Sequence, residues 1–407
     1  MIDLVLLIAC FLSIASIIFC VYSKAGNQIL IPVIWWFMWS VIGLYYPLGY
    51  FNVLTPISVL IASAPLFLCL GYFFSKTYFC KKIKNLVLDI NRVEKINFAS
   101  IFFTAPFLIW LLWNFVDLIS SGSSELIRQL VYSEDTPYYG GKFIEYISSQ
   151  FIKPFGVALL WFGVLIAVNN NSYRVFAHGA VFMLIVSIVE MGRFGIYMSL
   201  LGLVLIYFNS AADDFRKSIK LLLFFLVSLL LLVSYLRSFD LDDFYSNIIN
   251  TYIVRYHTLF VGLLNYEYLS ESLLHDRTYG LSSVFSFINP LIVILKFLSF
   301  WDFVPIDGVV GADLDFVRTI GYWNNDPIFA NAYVSIIYGL YKDFYFFGPP
   351  IFYFLMGIFL RRRIIFNPAA IPIIYLLFFG IFQQSLNFAF YSSLFYYWGM
   401  LKFSSKK

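Results

Sequence analysis

The stretch SKTYFCKKIKNLVLDINRVEKIN, residues 75–97, decides how the chain folds. It carries Lys76, Lys81, Lys82, Lys84, Arg92 and Lys95 against only Asp89 and Glu94. It lies between two apolar runs, 55–74 and 98–120, each long enough to cross a bilayer as a helix rising 1.5 Å per residue. A basic connection between two spans marks the cytoplasmic side, because lysine and arginine near span ends are retained there. Once this loop has a side, alternation assigns every other one.

Further apolar runs precede it at 3–22 and 28–48. Others follow at 150–169, 175–190, 194–209 and 219–236, then at 346–360, 367–385 and 388–402, which makes about eleven spans, with ten to twelve as the range. The composition demands such a reading: 61% of residues are hydrophobic and 12% charged, with a mean hydropathy of +0.83, far from the soluble average. The expected fold is all-α, a polytopic helical membrane protein. The first run is expected to be retained rather than cleaved, since Ile2–Ser23 has no basic segment before it and another span follows directly. The four cysteines, Cys10, Cys20, Cys69 and Cys80, fit neither a disulfide framework nor a thiolate metal site.

Alternation places Lys24, Arg174, the Arg216/Lys217/Lys220 group, Arg361–Arg363 and the Lys402/Lys406/Lys407 tail with the basic loop, so the C-terminus is cytoplasmic and the N-terminus outside. The opposite side receives the turn near Asn52, the loop 121–150, the tight turn Glu190–Arg193 and a long polar segment. The chain thus divides into 1–236 with eight spans, 237–345 as a large outer loop, and 346–407 with the last three spans. Within the loop, 281–301 is apolar enough to span, but a crossing there would put Asp302, Asp307, Asp313, Asp315 and Asp326 on the cytoplasmic side with only Arg318 for balance. A surface or re-entrant helix broken at Pro290 fits better. Phe329–Tyr341 is too short to cross and is expected to form a partial helix leading to the Gly348-Pro349-Pro350 break.

Chemistry is expected on the outer side, because ionisable groups are scarce within the spans. Arg193, in EMGRFG (190–195), is held at the membrane boundary where a lipid-linked diphosphate lies, and its planar fork suits phosphate oxygens; the plainer alternative is that it snorkels to headgroups or pairs with Glu190. Arg255 and His257 lie two residues apart, so they share a face only in an extended segment. Arg277 and His275 sit together before the turn glycine Gly280. Arg318, Tyr322, Trp323 and Asn331 mix a cation with aromatic and amide groups, which suits a sugar: aromatic faces cover its apolar faces and amides bind its hydroxyls. Asp240/Asp242 and Asp313/Asp315 are too short a pattern to indicate a metal site, and the first outer turn has no acidic residue. GxxxxGK[ST], GxSxG, HExxH and CxxC are all missing, which removes the main supports for ATP-driven transport and zinc hydrolysis. Neither a metal nor another cofactor is expected, and the basic residues follow the membrane topology rather than a nucleic-acid surface.

This architecture resembles the Wzy-type O-antigen polymerases: many spans, a short outer turn with an arginine after the sixth, and a large outer loop in the second half. The most specific local piece is Asn331-AYVSIIYGLYKD-Phe344 followed by Gly348. It departs from the family pattern in that three aromatics separate Phe344 from the glycine. The resemblance implies transfer of a glycan from undecaprenyl diphosphate to the terminal sugar of an incoming lipid-linked repeat unit, on the periplasmic face of a bacterial inner membrane. A chain-length regulator is an additional possible partner. Arg193, Arg255, Arg277 and Arg318 would handle the diphosphate and acceptor, and Glu190, His257 or His275 would supply the base, by position alone. A repeat-unit flippase or other transporter is the rival reading, opposed by spans almost free of charge apart from His178. An O-antigen ligase shares the leaving group and is separated only by its acceptor.

Overall fold

A computed structural model describes residues 4–23, 25–45, 49–50, 56–78, 88–120, 139, 141–190, 192–209, 318–323, 326–330, 336–360, 368–380 and 387–405, with isolated positions at 222, 224, 226–228, 231, 283 and 288. The chain forms two compact units, each assembled from separated segments: Met1–Ile83 with Ile248–Phe388, and Lys84–Asn247 with Ala389–Lys407. Among the described residues five helices are long and apolar enough to cross a membrane, and four more are apolar but shorter. Their outward faces carry large apolar side chains: Phe11 is 70% exposed, Phe102 67% and Trp113 75%. Patches of this kind are unstable against water and natural against lipid. The chain is therefore a helical membrane protein.

In the first unit α1 (Leu4–Tyr22) and α2 (Asn27–Tyr45) pack against each other. The run 55–74 is not one helix but two, α3 (Pro56–Ala62) and α4 (Ala64–Tyr78). They meet at Ser63, whose hydroxyl donates to the Leu60 carbonyl at 2.5 Å. A serine that bonds backward in this way competes with the helix ladder and bends it. Cys20 of α1 and Cys69 of α4 are both buried free thiols with their Sγ atoms 3.4 Å apart, a proximity that sequence spacing does not reveal.

The C-terminal part of this unit contributes α10 (Ile336–Phe344), α11 (Gly348–Leu360) and α12 (Ala370–Phe379); α5 to α9 belong to the second unit. α4 and α11 approach closely because each offers a glycine to the other's backbone. A Cβ on Gly71 would overlap the Phe354 carbonyl, and one on Gly357 would overlap the Leu68 carbonyl. Small residues that let backbones touch are the usual means of helix association in lipid, where apolar burial offers little gain. α12 is tied to α2 by Trp35, which stacks on Phe378 at 3.8 Å and donates its indole N–H to the Phe378 carbonyl at 3.1 Å.

A three-stranded antiparallel sheet completes the unit: β1 (Gly49–Tyr50), β2 (Arg318–Trp323) and β3 (Asp326–Ala330), in that order. Gly49 faces Tyr322, Tyr50 faces Gly321, and the β2–β3 hairpin is bulged between Thr319 and Gly321. These strands are an addition to the expected all-α outline. They also correct part of the expected helix at 329–341, since Phe329 and Ala330 end β3, while Ile336–Tyr341 are helical as expected. The β-branched and aromatic residues Thr319, Ile320, Tyr322 and Trp323, followed by the turn-forming amides Asn324 and Asn325, are hairpin signals in the sequence. The expected surface helix 281–301 lies outside the described residues except for Ser283 and Ile288.

The second unit is built on α5 (Ile90–Ser120), α6 (Lys142–Ile147), a π-helical turn (Ser148–Ile152), α7 (Lys153–Asn170), α8 (Arg174–Val189), α9 (Phe194–Asn209) and α13 (Phe388–Ser404). α7 is its core: apart from Phe155 every residue from Pro154 to Ala167 is buried. α7 and α8 touch through another glycine exchange, Gly163 against Phe176 and Gly179 against Leu160. α5 starts at Ile90, eight residues before the run at 98–120, and takes in the end of the basic connection. Asp89 N–H donates to the Ser404 carbonyl at 2.8 Å. The Arg92 guanidinium donates to the carbonyls of Phe403 and Ser405, both at 3.2 Å. A cation on the last carbonyls of a helix satisfies unpaired acceptors and opposes its dipole. Arg92 thus caps α13, and residues 88–92 meet residues 403–405 at one end of the unit.

Candidate functional site

The opposite end of the second unit is where α8 gives way to α9. Glu190 ends α8, its N–H still donating to Val186 at 3.0 Å, and Gly192 N–H returns to the Ser187 carbonyl at 2.7 Å. The next helix begins within one turn: Ser187 Oγ accepts the Gly195 N–H at 2.8 Å, and the Arg193 carbonyl accepts the Tyr197 N–H at 3.1 Å. The tight reversal that EMGRFG suggested is therefore present, and Gly195 permits it, since a Cβ there would overlap the Met183 carbonyl. Arg193 sits in it, half-buried.

The Glu190 side chain is 11% exposed and holds two partners on one oxygen. Lys153 Nζ lies 2.8 Å from Glu190 Oε1, and the Tyr139 hydroxyl donates to the same oxygen. Lys153 also donates to Tyr139 Oη at 3.2 Å, with its ammonium 5.3 Å from the centre of the tyrosine ring. Phenol, carboxylate and ammonium form a closed triangle. Its cation remains a quarter exposed while its anion is almost covered, so the cluster presents positive charge outward. Lys153 is set there by the junction of the π-helical turn with α7, where Pro154 occupies an early helix position that needs no N–H donor.

Lys153 and Tyr139 were not among the residues the sequence singled out. Lys153 stands near a span end like many snorkelling lysines, and Tyr139 lies 51 residues from Glu190, so neither carries a local signal. The pairing considered for Glu190 was Arg193; the ion pair it makes is with Lys153.

The other sequence-selected residues belong to the first unit. Arg318, Tyr322 and Trp323 lie on β2, opposite Ala330, Gly49 or Pro327, and Asp326 respectively. Arg255, His257, Arg277, His275 and Asn331 lie outside the described residues, as do the two Asp-x-Asp pairs. A further pair in that unit was quoted from the sequence without a role. Lys342 and Asp343, near the end of α10, are 2% and 5% exposed, and the Ser283 hydroxyl donates to Asp343 Oδ2. Ser283 thus ties the start of the 281–301 stretch to α10. Buried charges in a membrane protein are costly and tend to mark function or an obligatory fold contact. His178 of α8, the exception among spans almost free of charge, meets two side chains of α5: Asn97 Oδ1 at 3.1 Å and Thr104 Oγ1 at 3.1 Å.

Comparison with family models, with curated proteins and with solved structures finds no match to the chain. The functional reading therefore rests on residues and geometry.

Proposed function

We propose that the chain is a metal-independent membrane glycosyltransferase that polymerises undecaprenyl-diphosphate-linked repeat units into a surface polysaccharide, on the periplasmic face of a bacterial inner membrane. About eleven spans and the large loop 237–345 make up its frame. The observation that carries the reading is the cation-bearing turn: Arg193 on a half-buried reversal, with the Glu190–Lys153–Tyr139 triangle at the same end of α8. Breaking the bond between the anomeric carbon and the lipid diphosphate leaves negative charge on that diphosphate. Fixed guanidinium and ammonium groups stabilise it without reorganising. The acceptor sugar hydroxyl attacks the anomeric carbon and loses its proton to a base. With one Glu190 oxygen committed to Lys153 and Tyr139, Glu190 holds the lysine in place, and the proton goes to His257 or His275.

Two backbone features support the assigned sides. β1, from the turn near Asn52, pairs with β2 of the large loop, as segments on one side of a membrane do. Residues 88–92 meet 403–405 at the basic end of the second unit, which agrees with a shared cytoplasmic side. Tyr322, Trp323 and Asn331 would cover and bind sugar rings, and Arg255, Arg277 and Arg318 would complete the handling of phosphate and acceptor.

Deletion of the gene tests the reading on a polysaccharide gel. Loss of the ladder with retention of a single capped repeat is the expected pattern. Loss of both points to a flippase or ligase instead.

A further inference from the structure

The basic end of the second unit holds a cavity of about 290 Å³, near the lower limit of ligand pockets. Its wall is shared by the start of α5, the end of α7 and the start of α8. α8 has 16 residues and so spans about 24 Å, which separates this cavity from the Glu190 turn by the length of a helix. It belongs to a different site from the proposed glycosyltransferase centre.

One side of the cavity is apolar. Phe98 and Ile101 of α5 line it and are 64% and 45% exposed. They continue the exposed apolar face that runs along α5 through Phe102, Ile109 and Trp113, the face read above as lipid-facing. The other side is polar. Arg174 and Glu94 line it and stand as an ion pair at 3.6 Å, with side chains 81% and 61% exposed. Asn97, also in the lining, is held by His178. An ion pair this exposed is weakly bound to itself, and each member is ready to exchange its partner for another.

We infer that this cavity is a binding site for a phospholipid with an ethanolamine headgroup, its phosphate on Arg174, its ammonium on Glu94 and its upper acyl chain against Phe98 and Ile101. The occupant follows from charge and from continuity. A ligand reached along a bilayer-facing apolar strip is an amphiphile of that bilayer. A headgroup carrying both a phosphate and an ammonium satisfies both members of the pair. A phosphatidylglycerol headgroup satisfies Arg174 but leaves its net negative charge beside Glu94.

The full chain is assembled in nanodiscs of equimolar phosphatidylethanolamine and phosphatidylglycerol, extracted in mild detergent, and the co-purifying lipids are quantified by mass spectrometry. Wild type is expected to enrich phosphatidylethanolamine on the order of threefold over the bulk ratio, the scale that exposed charge pairs support. Glu94→Gln removes the discrimination, so phosphatidylglycerol is retained as well as phosphatidylethanolamine. Arg174→Gln loses both lipids. Both positions are exposed, and an unchanged thermal unfolding midpoint for each variant verifies that the fold is intact. Wild-type retention at the bulk ratio, or variants that keep the wild-type ratio, overturns the assignment.

Discussion

Arg193 and Lys153 show how differently two cations can register in a sequence. Arg193 stands out because a guanidinium between two apolar runs, flanked by glycines, has few structural reasons to be there. Arg193→Ala is expected to abolish the polysaccharide ladder while leaving the protein level in the membrane unchanged, a drop of at least about 100-fold in polymerising activity, as for loss of one preorganised donor to a developing charge. A wild-type ladder from that variant refutes its role. Lys153 is silent in sequence because its meaning comes from Glu190 and Tyr139, brought to it from two other places in the chain. Lys153→Met leaves the Glu190 side chain, which is 11% exposed, without its cation, at a cost of about 1–3 kcal/mol, the lower part of that range applying because the lysine is a quarter exposed. Thermal unfolding in detergent should show the loss, and adding Glu190→Gln should recover part of it, since the two positions are directly coupled. Equal midpoints for Lys153→Met and wild type would mean that water replaces the ammonium at no cost.

At the scale of helices, the apolar runs anticipate most of the observed elements because a membrane span has one dominant requirement, an uninterrupted apolar stretch of sufficient length. Hydropathy does not show where such a run is cut. Ser63 divides 55–74 into α3 and α4 through a hydroxyl that competes for a carbonyl, and α5 extends into a charged segment because Arg92 gains a partner in the end of α13. Which helices touch is likewise encoded in single glycines rather than in average composition. Gly357→Leu places a branched side chain where even a Cβ overlaps the Leu68 carbonyl, so α4 and α11 must separate. A loss of at least about 2 kcal/mol is expected, read as a lowered unfolding midpoint. Gly399→Leu in α13 is the matched control: nothing lies within 4 Å of its Cβ position, and its midpoint should stay near wild type. Similar losses at both glycines would show that leucine itself, and not the helix contact, is responsible.

For the molecule as a whole, sidedness rests on whether 281–301 crosses the membrane. Charge opposes a crossing, because five aspartates would then share the cytoplasmic side with one arginine, although acidic residues constrain topology less than basic ones. The sheet is the independent support. Gly49–Tyr50 and Gly321–Tyr322 are hydrogen-bonded neighbours, and a crossing by 281–301 would require an odd number of further spans between 248 and 318 to bring the two strands back together. A set of single-cysteine variants, made after Cys10, Cys20, Cys69 and Cys80 are replaced, decides the matter with a membrane-impermeant thiol reagent. Asn52→Cys and Asp307→Cys are expected to label in intact spheroplasts, whereas Lys82→Cys should label only after the membrane is opened. Labelling of Asp307→Cys with the Lys82 pattern would place the β2 side of the sheet away from β1. It would also move Arg318, Tyr322 and Trp323 to the face where a periplasmic polymerase has no use for them, so the same experiment that fixes the topology bears directly on the proposed chemistry.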